Sequence, residues 1–145
     1  MNDPRAAESR GSSPAFGTLD YLYTPTADVA GDAGYLVRVL GAELVFAIES
    51  SGTRVAMLRL GPEPPAILLT DHLEGDRPIL VYRVASLDAV VADLAARGWT
   101  GARSLELPPG PATSFRTPGG HRIALYEPVR PFVVESFTGR RDFEV

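Results

Sequence analysis

The sequence predicts an α+β domain made of two successive modules, each with the order strand, helix, strand, strand, strand. Each half begins with a short apolar strand, continues into a segment with apolar residues at helical spacing, and ends with three strands separated by turn residues. The spacing repeats as well: Tyr21 lies seven residues before Asp28, and Ile79 lies seven residues before Ser86. Because one four-stranded module would leave a sheet face bare, the two modules are expected to share a core.

The first module is predicted within residues 18–72. Its strand, its helix and its three further strands are expected at 19–23, 29–40, 43–49, 54–60 and 66–70. The first strand ends before Pro25, and Asp28 is a residue type that caps helix N-termini. Gly41 suits the left-handed position that follows many helices, so it marks the end of the predicted helix.

The second module is predicted within residues 77–128, after a polar linker over 71–78. The corresponding elements are expected at 79–84, 87–98, 102–107, 112–116 and 121–127. Ser86 is the predicted N-cap of the helix, and Gly98 is its predicted stop. The second module therefore repeats the first in both order and length.

Two terminal segments lie outside the modules. Residues 1–17 are rich in proline, glycine and serine and are predicted to be a flexible N-terminal tail. Residues 129–145 form a C-terminal extension in which PFVV, from Pro131, is expected to be a strand. Its phenylalanines are costly to leave in water, so the extension is expected to pack over a sheet or against a partner subunit.

Composition excludes several classes of function. The chain has no cysteine, and all 14 of its basic residues are arginine, so thiolate and Schiff-base chemistry are excluded. The net charge is −4 without a basic run, which argues against nucleic-acid binding. We find neither an apolar window long enough to span a membrane nor a signal peptide, so the expected location is the cytoplasm.

The order of these elements resembles the vicinal oxygen chelate superfamily, which holds glyoxalase I, extradiol dioxygenases, and fosfomycin- and bleomycin-resistance proteins. The resemblance is carried by YLVRVLGAEL (35–44), YRVASLDAVVADLAARG (82–98) and FRTPGGHRIALYEP (115–128). It covers about three quarters of the chain and implies a cup-shaped mixed sheet, known as the glyoxalase/bleomycin-resistance fold. It also implies a homodimer.

The resemblance further implies where a metal ion would be held in metal-using relatives. Those four positions fall here at Tyr21, Leu68, Ile79 and Ala124. Three of these side chains have no donor atom, and a phenol is normally protonated at neutral pH. Asp20 is expected to point to the opposite face of its strand. The sequence therefore predicts a protein that uses no metal or other cofactor, and metal-dependent glyoxalase or dioxygenase activity is not expected.

Strand alternation predicts which side chains share the cup face with those positions. The candidate ligand-binding residues are Tyr21, Tyr23, Leu68, Thr70, Ile79, Val81, Arg83, Arg122, Ala124 and Tyr126. Tyrosines offer flat faces to a planar ligand, and the two arginines could hold an anionic group. His72 and His121 are expected to be solvated linker and turn residues.

Three functions are compatible with this pattern. The first is metal-independent binding of a planar or amphipathic small molecule in the cup, with drug sequestration as one use. The second is a metal-free lyase or isomerase, in which Tyr21 donates a proton or an arginine–tyrosine pair stabilises an oxyanion. The third is a structural or regulatory dimer whose cup is filled by its own side chains. The catalytic residues of the second function are not identifiable from the sequence.

Overall fold

The computed structural model describes residues 16–100 and 103–145, which form eight strands and three helices. The first half holds β1 (Phe16–Pro25), α1 (Val29–Arg38), β2 (Glu43–Ser50), β3 (Thr53–Arg59) and β4 (Ala66–Thr70). The second half holds β5 (Ile79–Val84), α2 (Leu87–Ala96), β6 (Arg103–Leu107), β7 (Gly110–Arg116) and β8 (Arg122–Tyr126), and α3 (Pro131–Glu135) follows. No helix within this described part is long and apolar enough to cross a membrane.

The predicted fold class is confirmed. All eight strands belong to one mixed sheet in the order β2-β3-β4-β1-β5-β8-β7-β6. β1 pairs in parallel with β4, and β5 pairs in parallel with β8, as expected for a repeated βαβββ unit. The two modules meet where β1 and β5 run antiparallel, with Tyr21 opposite Val81 and Tyr23 opposite Ile79. The two modules therefore share one sheet within a single chain.

Helices α1 and α2 cover one face of the sheet. On α1, Val29 packs in a buried cluster with Leu58 from β3. On α2, Val90 packs with Val84 and Leu125. The predicted caps are present, because Asp28 accepts a hydrogen bond from the amide of Gly31 and Ser86 accepts one from the amide of Ala89. With both helices on this face, the other face is left as a concave surface, here called the cup.

Two predictions at the chain ends need correction. β1 begins at Phe16, so the predicted flexible tail at 1–17 is wrong for its last two residues, and its remainder at 1–15 lies outside the described residues. The PFVV segment is the helix α3 rather than a strand. Its two valines suggest a strand, but Pro131 stands in the first turn of the helix, where its fixed φ and missing N–H are tolerated.

The C-terminal extension wraps around the free edge of the sheet. Phe137 packs on Phe46 in the cup, and residues 139–142 then run parallel to β2. The amide of Ala47 donates to Arg140 at 2.9 Å, and the amide of Asp142 donates to Ala47 at 2.7 Å. The chain then turns to the helix-covered face, where Phe143 is buried. The extension thus satisfies backbone groups that an exposed edge strand would leave unpaired.

Candidate functional site

Two apolar clusters form the floor of the cup. The first contains Phe46 and Met57 from one module, and the second contains Val81 and Ala124 from the other. Tyr21 packs against both clusters, because β1 lies in the middle of the sheet. The ring of Tyr21 therefore lies between the apolar clusters of the two modules.

The first cavity in the cup, here called the aromatic cavity, has a volume of about 560 Å³. It lies between the floor of the cup, α3 and the segment after α3. Its walls include five tyrosine and phenylalanine rings and several aliphatic side chains: Tyr21, Tyr23, Phe46, Ile48, Val55, Met57, Leu68, Val81, Tyr126, Val134 and Phe137. Five of the predicted ligand-binding residues therefore line one apolar space, which has the size and character of a small-molecule site.

A short chain of hydrogen bonds forms the polar edge of this cavity. The hydroxyl of Tyr23 is 2.9 Å from Nε2 of His72, and the hydroxyl of Thr70 is 2.5 Å from Nδ1 of the same ring. Burial raises the pKa of Tyr23 above its usual value, so this phenol stays neutral. Thr70 is fully buried beneath His72, so it orients the ring rather than facing the cavity. His72 is exposed in the linker, as predicted, but the sequence did not indicate its hydrogen bond to Tyr23, which lies 49 residues away in the chain.

Asp20 lies in the cup, contrary to the prediction from strand alternation. The pairing of β1 with β5 shifts between Leu19 and Tyr21, so that one extra residue of β1 is inserted at this point. Such a bulge re-aims a side chain that regular alternation would direct to the other face. The only sequence signal was an acidic residue inside the otherwise apolar stretch 19–23, and that signal does not say which face the residue occupies.

The carboxylate of Asp20 is held by two donors on the cup side. Oδ2 accepts a hydrogen bond from Nε of Arg83 at 2.9 Å and another from the hydroxyl of Tyr126. Asp20 is only 6% exposed and Tyr126 only 2% exposed. Burial, followed by the hydrogen bond to Asp20, raises the pKa of Tyr126 well above its usual value of 10.0. Burial and the nearby charge of Asp20 also raise the pKa of Tyr21.

A second cavity of about 560 Å³, here called the polar cavity, opens beside the aromatic cavity on the other side of Val134. The two cavities share the residues Tyr21, Met57, Pro109, Tyr126 and Val134. The charged residues that line the polar cavity are Asp20, Glu43, Arg59, Glu63, Arg83 and Glu135. An apolar space and a net acidic space therefore adjoin across the same two tyrosines.

The remaining candidate residues lie in a third cavity of about 710 Å³ on the second module. Ile79, Ala124 and Arg122 are among its lining residues. Arg122 is 9% exposed, and its guanidinium donates to the backbone carbonyls of Glu74 and Arg77. Its hydrogen bonds therefore anchor the linker between the modules. His121 lines none of the three cavities, in keeping with its expected place in a turn.

The residues at the four metal positions do not fit a metal ion. Tyr21 and Leu68 line the aromatic cavity, whereas Ile79 and Ala124 line the third cavity. Three of them offer only hydrocarbon, and the raised pKa of Tyr21 keeps its phenol protonated. Among residues 16–100 and 103–145, no group of three or more histidine, cysteine, aspartate or glutamate side chains is placed to hold a metal.

Solved structures share this fold at low sequence identity. Methylmalonyl-CoA epimerase from Mycobacterium tuberculosis is 23% identical with a TM-score of 0.65, and the match covers 84% of this chain and 95% of the epimerase. A Streptomyces coelicolor methylmalonyl-CoA epimerase in complex with 2-nitronate-propionyl-CoA is 17% identical with a TM-score of 0.58, over 79% of this chain and 99% of that one. A catechol 2,3-dioxygenase is 18% identical with a TM-score of 0.58, over 76% of this chain and 40% of that one.

These neighbours establish the fold of the chain. It is the fold of the vicinal oxygen chelate superfamily, as the sequence resemblance predicted. No family model matches the sequence, and the search of curated proteins finds no match. Function therefore has to be argued from the side chains in the cup.

Proposed function

We propose that this protein binds a planar or amphipathic small molecule in the cup without the help of a metal ion. The observation that carries the proposal is the aromatic cavity, which is large enough for a fused-ring molecule and is lined by Tyr21, Tyr23, Phe46 and Phe137 among others. Rings on several walls can contact a flat ligand by offset stacking or edge-to-face packing. Sequestration of an aromatic drug is one use of such a site.

Binding without a metal ion is supported by the side chains at all four positions that hold a metal in metal-using relatives, rather than by any single residue. The positions equivalent to metal ligands carry Leu68, Ile79, Ala124 and a protonated Tyr21. The buried carboxylate of Asp20, which is next to Tyr21 in the chain, already accepts hydrogen bonds from Arg83 and Tyr126. A divalent ion would have to displace the Arg83 guanidinium and would still lack further ligands.

The two alternative functions receive less support. A metal-free lyase or isomerase would need a proton donor, but the pKa values of Tyr21 and Tyr126 are raised by burial, which makes both phenols weaker acids. Arg83 is already paired with Asp20 and so is a poorer stabiliser of an oxyanion. A collapsed cup filled by its own side chains is disfavoured by the volume of the aromatic cavity.

Two further parts of the proposal concern assembly and location. We propose a homodimer, because α1, its C-cap and the next residue present exposed apolar side chains, namely Tyr35, Val39 and Leu40. A location in the cytoplasm is proposed on the sequence argument above. Binding of small ligands by this fold is also known from the epimerase complex with 2-nitronate-propionyl-CoA.

Calorimetric titration with naphthylethanol, a neutral planar probe, tests the proposal. We expect saturable binding to the wild-type protein, with the same affinity before and after treatment with EDTA. Replacing Ile48, which lines the aromatic cavity, by tryptophan should fill part of the space and weaken binding at least tenfold. The matched control is Leu60→Trp, at an exposed position directly after β3 that lines none of the three cavities, and it should leave the affinity unchanged.

Two results would contradict the proposal. One is the absence of binding by naphthylethanol and by other fused-ring probes. The other is binding that disappears with EDTA and returns with a divalent metal. Equal loss of affinity in the Ile48 and Leu60 variants would place the binding site outside the aromatic cavity.

A further inference from the structure

The polar cavity has a charge opposite to the one that the sequence predicted for a ligand site. The sequence placed Arg83 and Arg122 in the cup as receptors for an anion. In the structure, Arg122 donates to two backbone carbonyls, and Arg83 donates to Asp20. Four carboxylates and two guanidiniums line the polar cavity, so its formal charge is negative.

Asp20 is the buried charge at the base of this cavity. Its Oδ2 atom accepts both of its hydrogen bonds, and Oδ1 has no hydrogen-bond partner among the described residues. No fully buried side-chain oxygen or nitrogen in that part of the chain lacks a partner. Oδ1 is therefore not fully enclosed, and it reaches the space of the polar cavity that Asp20 lines.

The cation that pairs with Asp20 is poorly placed to neutralise it. The side chain of Arg83 is 54% exposed, so water screens its charge, whereas Asp20 is 6% exposed. A buried anion with one screened partner and a free lone pair attracts a further donor, above all a charged one. The net negative charge of the residues that line the polar cavity and the net charge of −4 of the chain also attract a cationic group.

We propose that the ligand is an amphipathic amine, whose ring occupies the aromatic cavity and whose ammonium group donates to Asp20 in the polar cavity. The proposal rests on the proposed function, since it names the ligand class for the same cup. The two cavities adjoin across Tyr21 and Tyr126, so one small molecule can reach both. Asp20 is then the residue that determines specificity for the charge of the ligand.

Three probes that differ only in the head group test the inference: naphthylethylamine, naphthylethanol and naphthylacetate. We expect the wild-type protein to bind the amine at least tenfold more tightly than the alcohol, and to bind the carboxylate most weakly. In Asp20→Asn the advantage of the amine should fall to within about twofold, while binding of the alcohol should stay unchanged. Glu49→Gln is the matched control, since it removes one negative charge at the aromatic cavity and should retain the amine preference.

A second variant keeps the test decisive where Asp20→Asn does not fold. Arg83→Met removes the guanidinium and leaves Tyr126 as the only side-chain donor to Asp20 among the described residues, so binding of the amine should become at least threefold tighter. If Arg83 instead receives an anionic ligand, the same variant will weaken binding of naphthylacetate and leave the amine unchanged, which overturns the inference. Equal affinities of the wild-type protein for all three probes would also overturn it but would leave the proposed function standing. If none of the three probes binds, the proposed function itself fails.

Discussion

Replacing Tyr126 by phenylalanine is expected to destabilise the protein by about 1.5–3 kcal/mol at neutral pH. The Tyr126 side chain is 2% exposed, and its hydroxyl donates to the carboxylate of Asp20. A hydrogen bond to a charged group contributes about this amount, and phenylalanine fills nearly the same volume, so little cavity energy is added. For a chain of this size the melting temperature should fall by roughly 3–12 °C.

The measurement is urea unfolding of the wild-type protein and of the variant at pH 7, followed by circular dichroism. A lower midpoint with an unchanged slope would show that stability rather than compactness has changed. The control is Tyr35→Phe on α1, whose side chain is exposed and should change the free energy of unfolding by less than about 0.5 kcal/mol.

Alkaline pH gives this prediction a second, independent test. The pKa of Tyr126 lies above its ordinary value of 10.0 in the folded protein, so the folded phenol keeps its proton when an unfolded one loses it. In the wild-type protein, the Tyr126 hydroxyl therefore makes its full contribution to the free energy of unfolding below pH 10, and this contribution is lost as the pH rises further. Phenylalanine cannot titrate, so the stability difference should narrow by about 1.4 kcal/mol per pH unit above 10. A variant as stable as the wild type at pH 7, or a difference that is constant up to pH 11, would refute the reasoning.

Three further predictions concern the helices, the C-terminal extension and assembly. Ser86→Ala should cost about 1 kcal/mol in urea unfolding, because the serine hydroxyl accepts the amide of Ala89 at 3.2 Å; no change would mean that the cap contributes nothing. Asp142→Ala should speed hydrogen exchange of the Glu49 amide at pH 7. The hydrogen bond from that amide lowers the pKa of Asp142, so the exchange rates of wild type and variant should become equal only as the pH falls below 3.8. Equal exchange rates at a higher pH would contradict this prediction. Light scattering should show a wild-type dimer at micromolar concentration and a monomer for Val39→Glu, whereas a wild-type monomer would rule out the proposed homodimer.

The architecture could be predicted because it depends on local patterns that occur twice in the sequence, once in each module. Asp28 and Ser86 stand seven residues after equivalent strand positions, and both cap helices in the structure. Turn residues separate the remaining strands, so the order of these strands could be predicted even where their exact first and last residues could not. A duplicated pattern is a strong signal, since chance has to produce the same spacing in both halves.

The polar side of the cup could not be predicted because it depends on one inserted residue and on contacts between distant segments. The bulge before Tyr21 places Asp20 in the cup, and a strict alternation of faces cannot show where a bulge occurs. Tyr126 is 106 residues from Asp20, and His72 is 49 residues from Tyr23. Arg122 was predicted to receive an anion, but in the fold its guanidinium donates to two backbone carbonyls, a contact that the sequence pattern does not show.

The donors that hold Asp20 also bear on whether its carboxylate could take part in a metal site in the cup. A divalent ion needs several oxygen or nitrogen donors around one point, and a carboxylate can serve only if its lone pairs are free. Oδ2 of Asp20 already accepts hydrogen bonds from Arg83 and Tyr126, so this oxygen has no lone pair left for a metal ion. Oδ1 has no partner among the described residues, so it is free to accept from an ammonium or hydroxyl group. By occupying Oδ2, Arg83 and Tyr126 support the proposal that Asp20 receives an organic head group rather than a metal ion.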